Sequence, residues 1–131
     1  MSGPKILSKI LLVEDEPDIQ IVVKIALEAM SDFIVDTCDT GEMAIEKAKS
    51  NPPDLILLDV MLPDMDGPTI LGVLRGSNKT DQIPIIFMTA KVQPKDVNHY
   101  KEIGALGVIA KPFDPMLLVK MITDIWDGSN E

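Results

Sequence analysis

The chain has almost no cysteine: Cys38 is the only one in 131 residues, so no disulfide can form within it. That absence fits a reducing compartment, and with no neighbouring cysteine or basic cluster Cys38 reads as a small core residue at a strand end. Histidine is equally scarce. His99 stands alone, so neither a Cys/His metal site nor a His-rich one can be built. Basic charge is short as well: 12 Lys and Arg face 21 Asp and Glu, a net charge of −9. Such a balance argues against nonspecific binding to nucleic acid or to an anionic membrane. No apolar run approaches the length of a membrane span, and "MSGPKILSKI" has neither the long apolar stretch nor the cleavage site of a signal peptide. A cytoplasmic location is the expectation. No linker, low-complexity run or long repeat interrupts the chain, whose length suits one domain with a core of its own.

What is present is a rhythm. "KILLV" (9–13) is an apolar run of strand length, and Pro17 opens a helix with apolar residues Ile19, Val22, Val23, Ala26, Leu27 and Met30, one stripe at helical spacing. "FIVDTC" (33–38) reads as a second strand and 40–50 as a second helix, stopped by Asn51-Pro52-Pro53. "DLILL" (54–58) is the third strand, with a helix from Pro68 to about Arg75; "IPIIFMT" (83–89) is the fourth, with a weaker helix over 94–103. "VIA" (108–110) is the fifth, and Asp114-Pro115 starts a last helix with Leu118, Met121, Ile122 and Ile125 on its apolar side. Five β-then-α units imply a parallel sheet covered by helices on both faces, and the unbroken apolar strands agree.

The informative polar residues all follow or end strands: Glu14 and Asp15 after the first, Asp59 after the third, Thr89 at the end of the fourth and Lys111 after the fifth. In open α/β sheets that edge is where ligands bind, at the point where the strand order reverses. With the order 2-1-3-4-5 the three acids would converge; another doubly wound order would separate them, and the sequence does not say which applies. Converging carboxylates repel one another unless they take up protons or a cation. Oxygen donors without His or Cys suit Mg²⁺, or Mn²⁺. A cation and Lys111 beside one carboxylate can stabilise an incoming phosphoryl group, an Asp oxygen can act as nucleophile, and the Thr89 hydroxyl can donate to a phosphoryl oxygen. The parts add up to Mg²⁺-dependent phosphoryl transfer onto Asp59.

The ordered set "LLVEDE", "LILLDVMLPDMDG", "IIFMTAK" and "AKPFDP" resembles the receiver domain of two-component response regulators, the chemotaxis-regulator type. The resemblance covers nearly everything from Lys9 to Trp126. It implies a flavodoxin-like doubly wound five-stranded parallel sheet of order 2-1-3-4-5 with five helices, a receiver over 9–127, and flexible termini at 1–8 and 128–131. It implies that Asp59 accepts phosphate from a sensor histidine kinase or a phosphotransfer protein. Asp15 and Asp59 would bind Mg²⁺ directly, Glu14 through water and Met61 by its backbone carbonyl. The phosphorylated form would present the fourth helix, fifth strand and fifth helix to a downstream protein, with no direct role for nucleic acid or membrane, as a monomer or a phosphorylation-dependent dimer. Catalysis would be confined to the domain's own phosphorylation and dephosphorylation. The resemblance also makes Lys111–Pro112 a cis bond.

Two departures stand out. The family usually has an aromatic residue three positions before the lysine, and here that position is Val108. The positions two beyond Asp59 and two beyond Thr89, which influence loss of the phosphate, are Met61 and Lys91; neither is an obvious base for activating water, so the phosphoryl group should be long-lived. Taken singly, Asp59 would be a solvated loop acid, Lys111 a surface lysine and Thr89 a strand-end cap; only the set lifts them. Asp64 and Asp66 read as solvated loop acids, Pro63 and Gly67 as turn residues, His99 as a surface residue, most methionines as core, and Trp126 as packing the last helix. A haloacid-dehalogenase-type hydrolase would need a D-x-D pair after its first strand, and a flavodoxin a Ser/Thr/Gly loop where "VEDEPD" stands. A receiver-like module working without phosphorylation is disfavoured by the intact acids, though Val108 leaves it open.

Overall fold

A computed structural model describes residues 6–129, the last by its backbone only. Five parallel strands, β1 (Lys9–Val13), β2 (Ile34–Cys38), β3 (Leu55–Asp59), β4 (Ile85–Thr89) and β5 (Gly107–Ala110), stand in the order 2-1-3-4-5. Strands β1 and β3 are therefore neighbours, with Val13 opposite Leu58 in register. Helices α1 (Pro17–Ala29) and α5 (Leu118–Ser129) pack on one face, and α2 (Gly41–Ser50), α3 (Gly67–Arg75) and α4 (Pro94–Glu102) on the other.

Alternation along each buried strand divides the core. Leu11, Val13, Ile56, Leu58, Ile85 and Phe87 face α2, α3 and α4, where Ala44, Ala48, Ile70, Leu71, Leu74 and Tyr100 meet them. Ile10, Leu12, Leu55, Leu57, Ile86 and Met88 face α1 and α5, where Val23, Leu27, Leu118, Ile122 and Trp126 close the second layer. Each fully buried aliphatic side chain contributes about 1.5–3 kcal/mol of transfer free energy, which a strand buried on both faces collects at every position. Helix α4 is the weakest member. Its one buried residue is Tyr100, whose ring meets Phe87 edge-on at 5.1 Å.

Several boundaries differ from the sequence reading for identifiable reasons. Strand β3 runs from Leu55 to Asp59, one residue later at each end than the sequence suggests, and the Asp54 carboxylate just before it accepts the backbone N–H groups of Ser8 and Lys9. Strand β4 begins after Pro84, which has no N–H for the ladder and offers its carbonyl to Ile56. The last helix starts as a 3₁₀ turn, Pro115–Leu117, with the Asp114 carboxylate accepting from Met116 N–H. It runs on to Ser129, so the expected free end at 128 lies within its last turn; residues 1–5 and 130–131 lie outside the described residues.

Two expectations about apolar residues need correction. On α1 only Val23 and Leu27 are buried, while Val22 and Met30 are exposed, because α5 covers just one side of the helix. Among the described methionines Met88 alone is fully buried, and it sits on a strand; Met30, Met43, Met61 and Met116 are exposed. Their unbranched side chains tolerate partly wet positions, so helical spacing overstated their burial.

Candidate functional site

The strand order brings the carboxyl ends of β1 and β3 side by side, and the acids follow. The chain leaves β1 with Glu14, whose N–H donates to the Cys38 carbonyl at 3.0 Å. Gln20 of α1 donates its amide to the Glu14 carbonyl (2.9 Å) and the Cys38 carbonyl (3.3 Å), fastening this turn to two strands. Glu14 is wholly buried, Asp15 exposed, and Asp59 only 7 % exposed. One carboxylate oxygen from each of the three lies within 4.8 Å of the others.

Lys111 enters from the opposite side. Its N–H donates to the Thr89 carbonyl at 2.9 Å, and Lys111–Pro112 is cis as expected. The ammonium donates to Glu14 Oε1 at 2.8 Å and lies 3.2 Å from Asp59 Oδ2. Thr89 is the last residue of β4, one beyond the residue that pairs with Asp59, and its hydroxyl accepts from Lys91 N–H at 3.1 Å. Asp59 Oδ1 accepts from Met61 N–H at 3.2 Å.

Burial pushes the Glu14 carboxyl above its ordinary value and the nearby Asp59 adds to that, while Lys111 and the Glu16 N–H pull it back. For Lys111, burial works against the charge, but the bond to Glu14 and the field of Asp59 outweigh it and hold the ammonium above its usual range. A buried carboxylate, a second carboxylate and one shared ammonium leave negative charge uncompensated, and the donors are all oxygen. This set fits a hard divalent cation.

Other sequence-derived candidates fall elsewhere. His99 is exposed on α4, tilted against Tyr100. Val108 is partly buried beside the α3/α4 layer, opposite Phe87. Asp64 and Asp66 are not merely solvated. Asp66 caps α3 by accepting from Thr69 N–H at 2.8 Å, and Asp64 reaches across to accept from Gly41 N–H (2.8 Å) and Glu42 N–H (2.9 Å) at the start of α2. The Gly41 and Glu42 N–H bonds hold the Asp64 carboxyl below the ordinary range, and the Thr69 hydroxyl together with its N–H does the same for Asp66. Asp66 was readable as a cap from the Gly67-Pro68 that follows it; Asp64 acts across 23 residues, and no local signal reveals it.

The model of the response regulator receiver domain matches residues 10–123. The chain belongs to that family. A relative is the alkaline phosphatase synthesis transcriptional regulatory protein PhoP of Bacillus subtilis, 41 % identical over 107 residues, covering 82 % of this chain and 43 % of PhoP. Another is the transcriptional activator protein IrlR of Burkholderia pseudomallei, 38 % identical over 117 residues, covering 89 % of this chain and 49 % of IrlR. Among solved structures, the chemotaxis response regulator CheY4 of Vibrio cholerae superposes with a TM-score of 0.84 at 29 % identity, covering 92 % of this chain and 99 % of CheY4. The chain thus spans about half the length of the curated relatives and nearly all of the chemotaxis regulator. Because PhoP and IrlR are named for transcription, the acidic charge of these 131 residues does not exclude nucleic acid for a longer protein. Among the described residues no helix is long and apolar enough to cross a membrane.

Proposed function

We propose that this receiver accepts a phosphoryl group on Asp59 from a phosphohistidine on a sensor kinase or phosphotransfer protein, in the cytoplasm. The reading rests on one observation: Glu14, Asp15, Asp59 and the Lys111 ammonium meet at one sheet edge, with the Thr89 hydroxyl on the adjoining strand end. Asp15 and Asp59 are the candidate direct ligands of Mg²⁺ (or Mn²⁺), Glu14 a ligand through water, and the Met61 carbonyl a further oxygen. The ion would neutralise charge on the phosphoryl oxygens. An Asp59 oxygen attacks phosphorus as the P–N bond breaks, and the bonding pair returns to the imidazole. Lys111 then exchanges its contact with Asp59 for a phosphoryl oxygen, and Thr89 turns its hydroxyl from acceptor of the Lys91 N–H to donor. Beside Lys111 lies an apolar hollow of about 460 Å³ between α1 and the 111–115 turn, bordered by Ile19, Val22, Phe113 and Pro115, which gives a donor domain a surface next to the acceptor. Output passes through the α4–β5–α5 face to a protein partner, with the chain as a monomer or a phosphorylation-dependent dimer and no chemistry beyond its own phosphorylation and dephosphorylation.

The test is labelling with acetyl phosphate, with and without Mg²⁺. We expect Mg²⁺-dependent, hydroxylamine-labile label in the wild type and none in a folded Asp59→Asn variant. Label that persists in that variant, on His99 or a serine, overturns the assignment.

A further inference from the structure

The loop after β3 is a closed unit. Gly67 N–H donates to the Val60 carbonyl at 2.7 Å, and Met61 pairs with Asp66 in an isolated antiparallel bridge, so residues 60–67 leave the sheet and return at one base. The tip of this unit does not float. The Asp64 carboxylate takes the first two free N–H groups of α2, those of Gly41 and Glu42. Immediately beside it, the Met65 side chain lies where a side chain at residue 41 would go: a Cβ built on Gly41 would collide with Met65 Cγ and come 2.9 Å from Ile70 Cδ1. Gly41 is thus held to glycine by contact rather than by backbone angle, and Asp64 and Met65 fasten the loop to α2 by two independent means. Helix α2 does not need Asp64 for all of its capping, since Thr40 Oγ1 already accepts from Met43 N–H at 3.1 Å.

We infer that the amino end of α2 is a positioning element for the metal: Asp64 and Met65, seated on Gly41, fix the loop backbone that presents the Met61 carbonyl to the crevice. This rests on the proposed role of that carbonyl. Loop closure at the base transmits the constraint. The base itself is held to the sheet, by Val60 N–H on the Met88 carbonyl and Met61 N–H on Asp59 Oδ1 (both 3.2 Å), so a tip released from α2 lets the loop tilt about that base and turn the peptide that carries the oxygen at 61. Groups that orient metal ligands from outside typically change affinity tenfold or more; acting through a loop, Asp64 should be worth about threefold to tenfold.

Mg²⁺ dissociation constants of the intact chain, from NMR titration, test this. Asp64→Ala and Gly41→Ala are each expected to weaken Mg²⁺ about threefold to tenfold. Asp64→Asn, which keeps an acceptor oxygen, should recover part of the loss. Thr40→Ala serves as the control, since it removes a cap of the same helix without touching the loop; it should lower thermal stability and leave Mg²⁺ affinity unchanged. Acetyl phosphate labelling of Asp64→Ala at saturating Mg²⁺ should return to the wild-type level. The inference is overturned if folded Asp64→Ala and Gly41→Ala bind Mg²⁺ as the wild type does, or if Thr40→Ala weakens the ion equally, which would make helix stability the cause. A wild type that binds no Mg²⁺ would remove the underlying metal reading together with this one, and is recognised from the unsubstituted chain alone.

Discussion

The Lys111 ammonium lies 2.8 Å from the Glu14 carboxylate, a group with no solvent exposure, although 97 residues separate the two in sequence. A carboxylate stripped of water is costly unless a cation and hydrogen bonds replace the solvent. Here the replacements are Lys111 and the Glu16 N–H. The same ammonium reaches Asp59, so the cation that offsets the burial of Glu14 is also held against the phosphoacceptor candidate.

Removing that cation should therefore destabilise the fold in a pH-dependent way. Lys111→Met is expected to cost about 1–3 kcal/mol at neutral pH, the penalty of an unsatisfied buried group. Without Lys111 the Glu14 carboxyl loses its strongest downward influence and rises further. A carboxyl whose folded-state value is raised binds its proton more tightly when folded, so its contribution favours the fold at low pH and turns against it as pH rises. The deficit should shrink on acidification as Glu14 protonates. Urea unfolding at several pH values measures it, and a deficit independent of pH would contradict this account.

The same raised carboxyl should make cation binding pH-sensitive. Burial keeps the proton on Glu14 to a higher pH than on an ordinary carboxylate, so proton and cation compete there. Apparent Mg²⁺ affinity should begin to fall, on acidification, above the ordinary carboxylate range. Glu14→Gln should remove that part of the dependence while weakening the site at neutral pH. Calorimetry across pH gives the answer; a wild-type profile unchanged in Glu14→Gln would assign the competition to another group.

Much of this was legible because two signals are local. Buried parallel strands read as apolar runs, and chemistry at the sheet edge shows as a polar residue at or just past the end of four of the five runs: Glu14, Asp59, Thr89 and Lys111 all declare themselves that way. The meeting of Glu14 with Asp59 was not legible from those runs, because it depends on β1 lying beside β3, and strand order is a long-range choice. Asp64 escaped for the same reason, its partners being 22 and 23 residues away. The stripe on α1 misled in another way. Helical periodicity marks an apolar face but does not say whether a neighbour covers all of it, and α5 leaves Val22 and Met30 uncovered.

Cys38 offers a check on the core that is independent of function. Burial pushes its thiol up to about 12, so thiolate is scarce at any pH where the protein is handled. In the native state Cys38 should resist iodoacetamide at pH 8, and the reaction should appear only with the urea concentrations that unfold the chain. Rapid alkylation of the native protein would show that the end of β2 opens locally.

A phosphoryl group on Asp59 should be felt well beyond the crevice. Thr89 ends β4, and its hydroxyl is engaged with the N–H of Lys91, in the loop that leads to α4. Turning that hydroxyl toward a phosphoryl oxygen breaks this bond and frees the loop. Helix α4 is the element least able to resist, since Tyr100 is its only buried residue and elements with few buried contacts open at the lowest free energy. Val108 sits across from Phe87 in the strand register, and its branched side chain has little rotamer freedom with which to swing. The shift should therefore run from Thr89 through residues 90–93 into α4, with Val108 a bystander. Amide hydrogen exchange with and without beryllofluoride, a phosphoryl mimic, should show altered protection along 90–102 in the wild type. Thr89→Ala should reduce that response more than Val108→Ala does. Changes confined to α1, or a Thr89→Ala protein that responds like the wild type, would rule this route out.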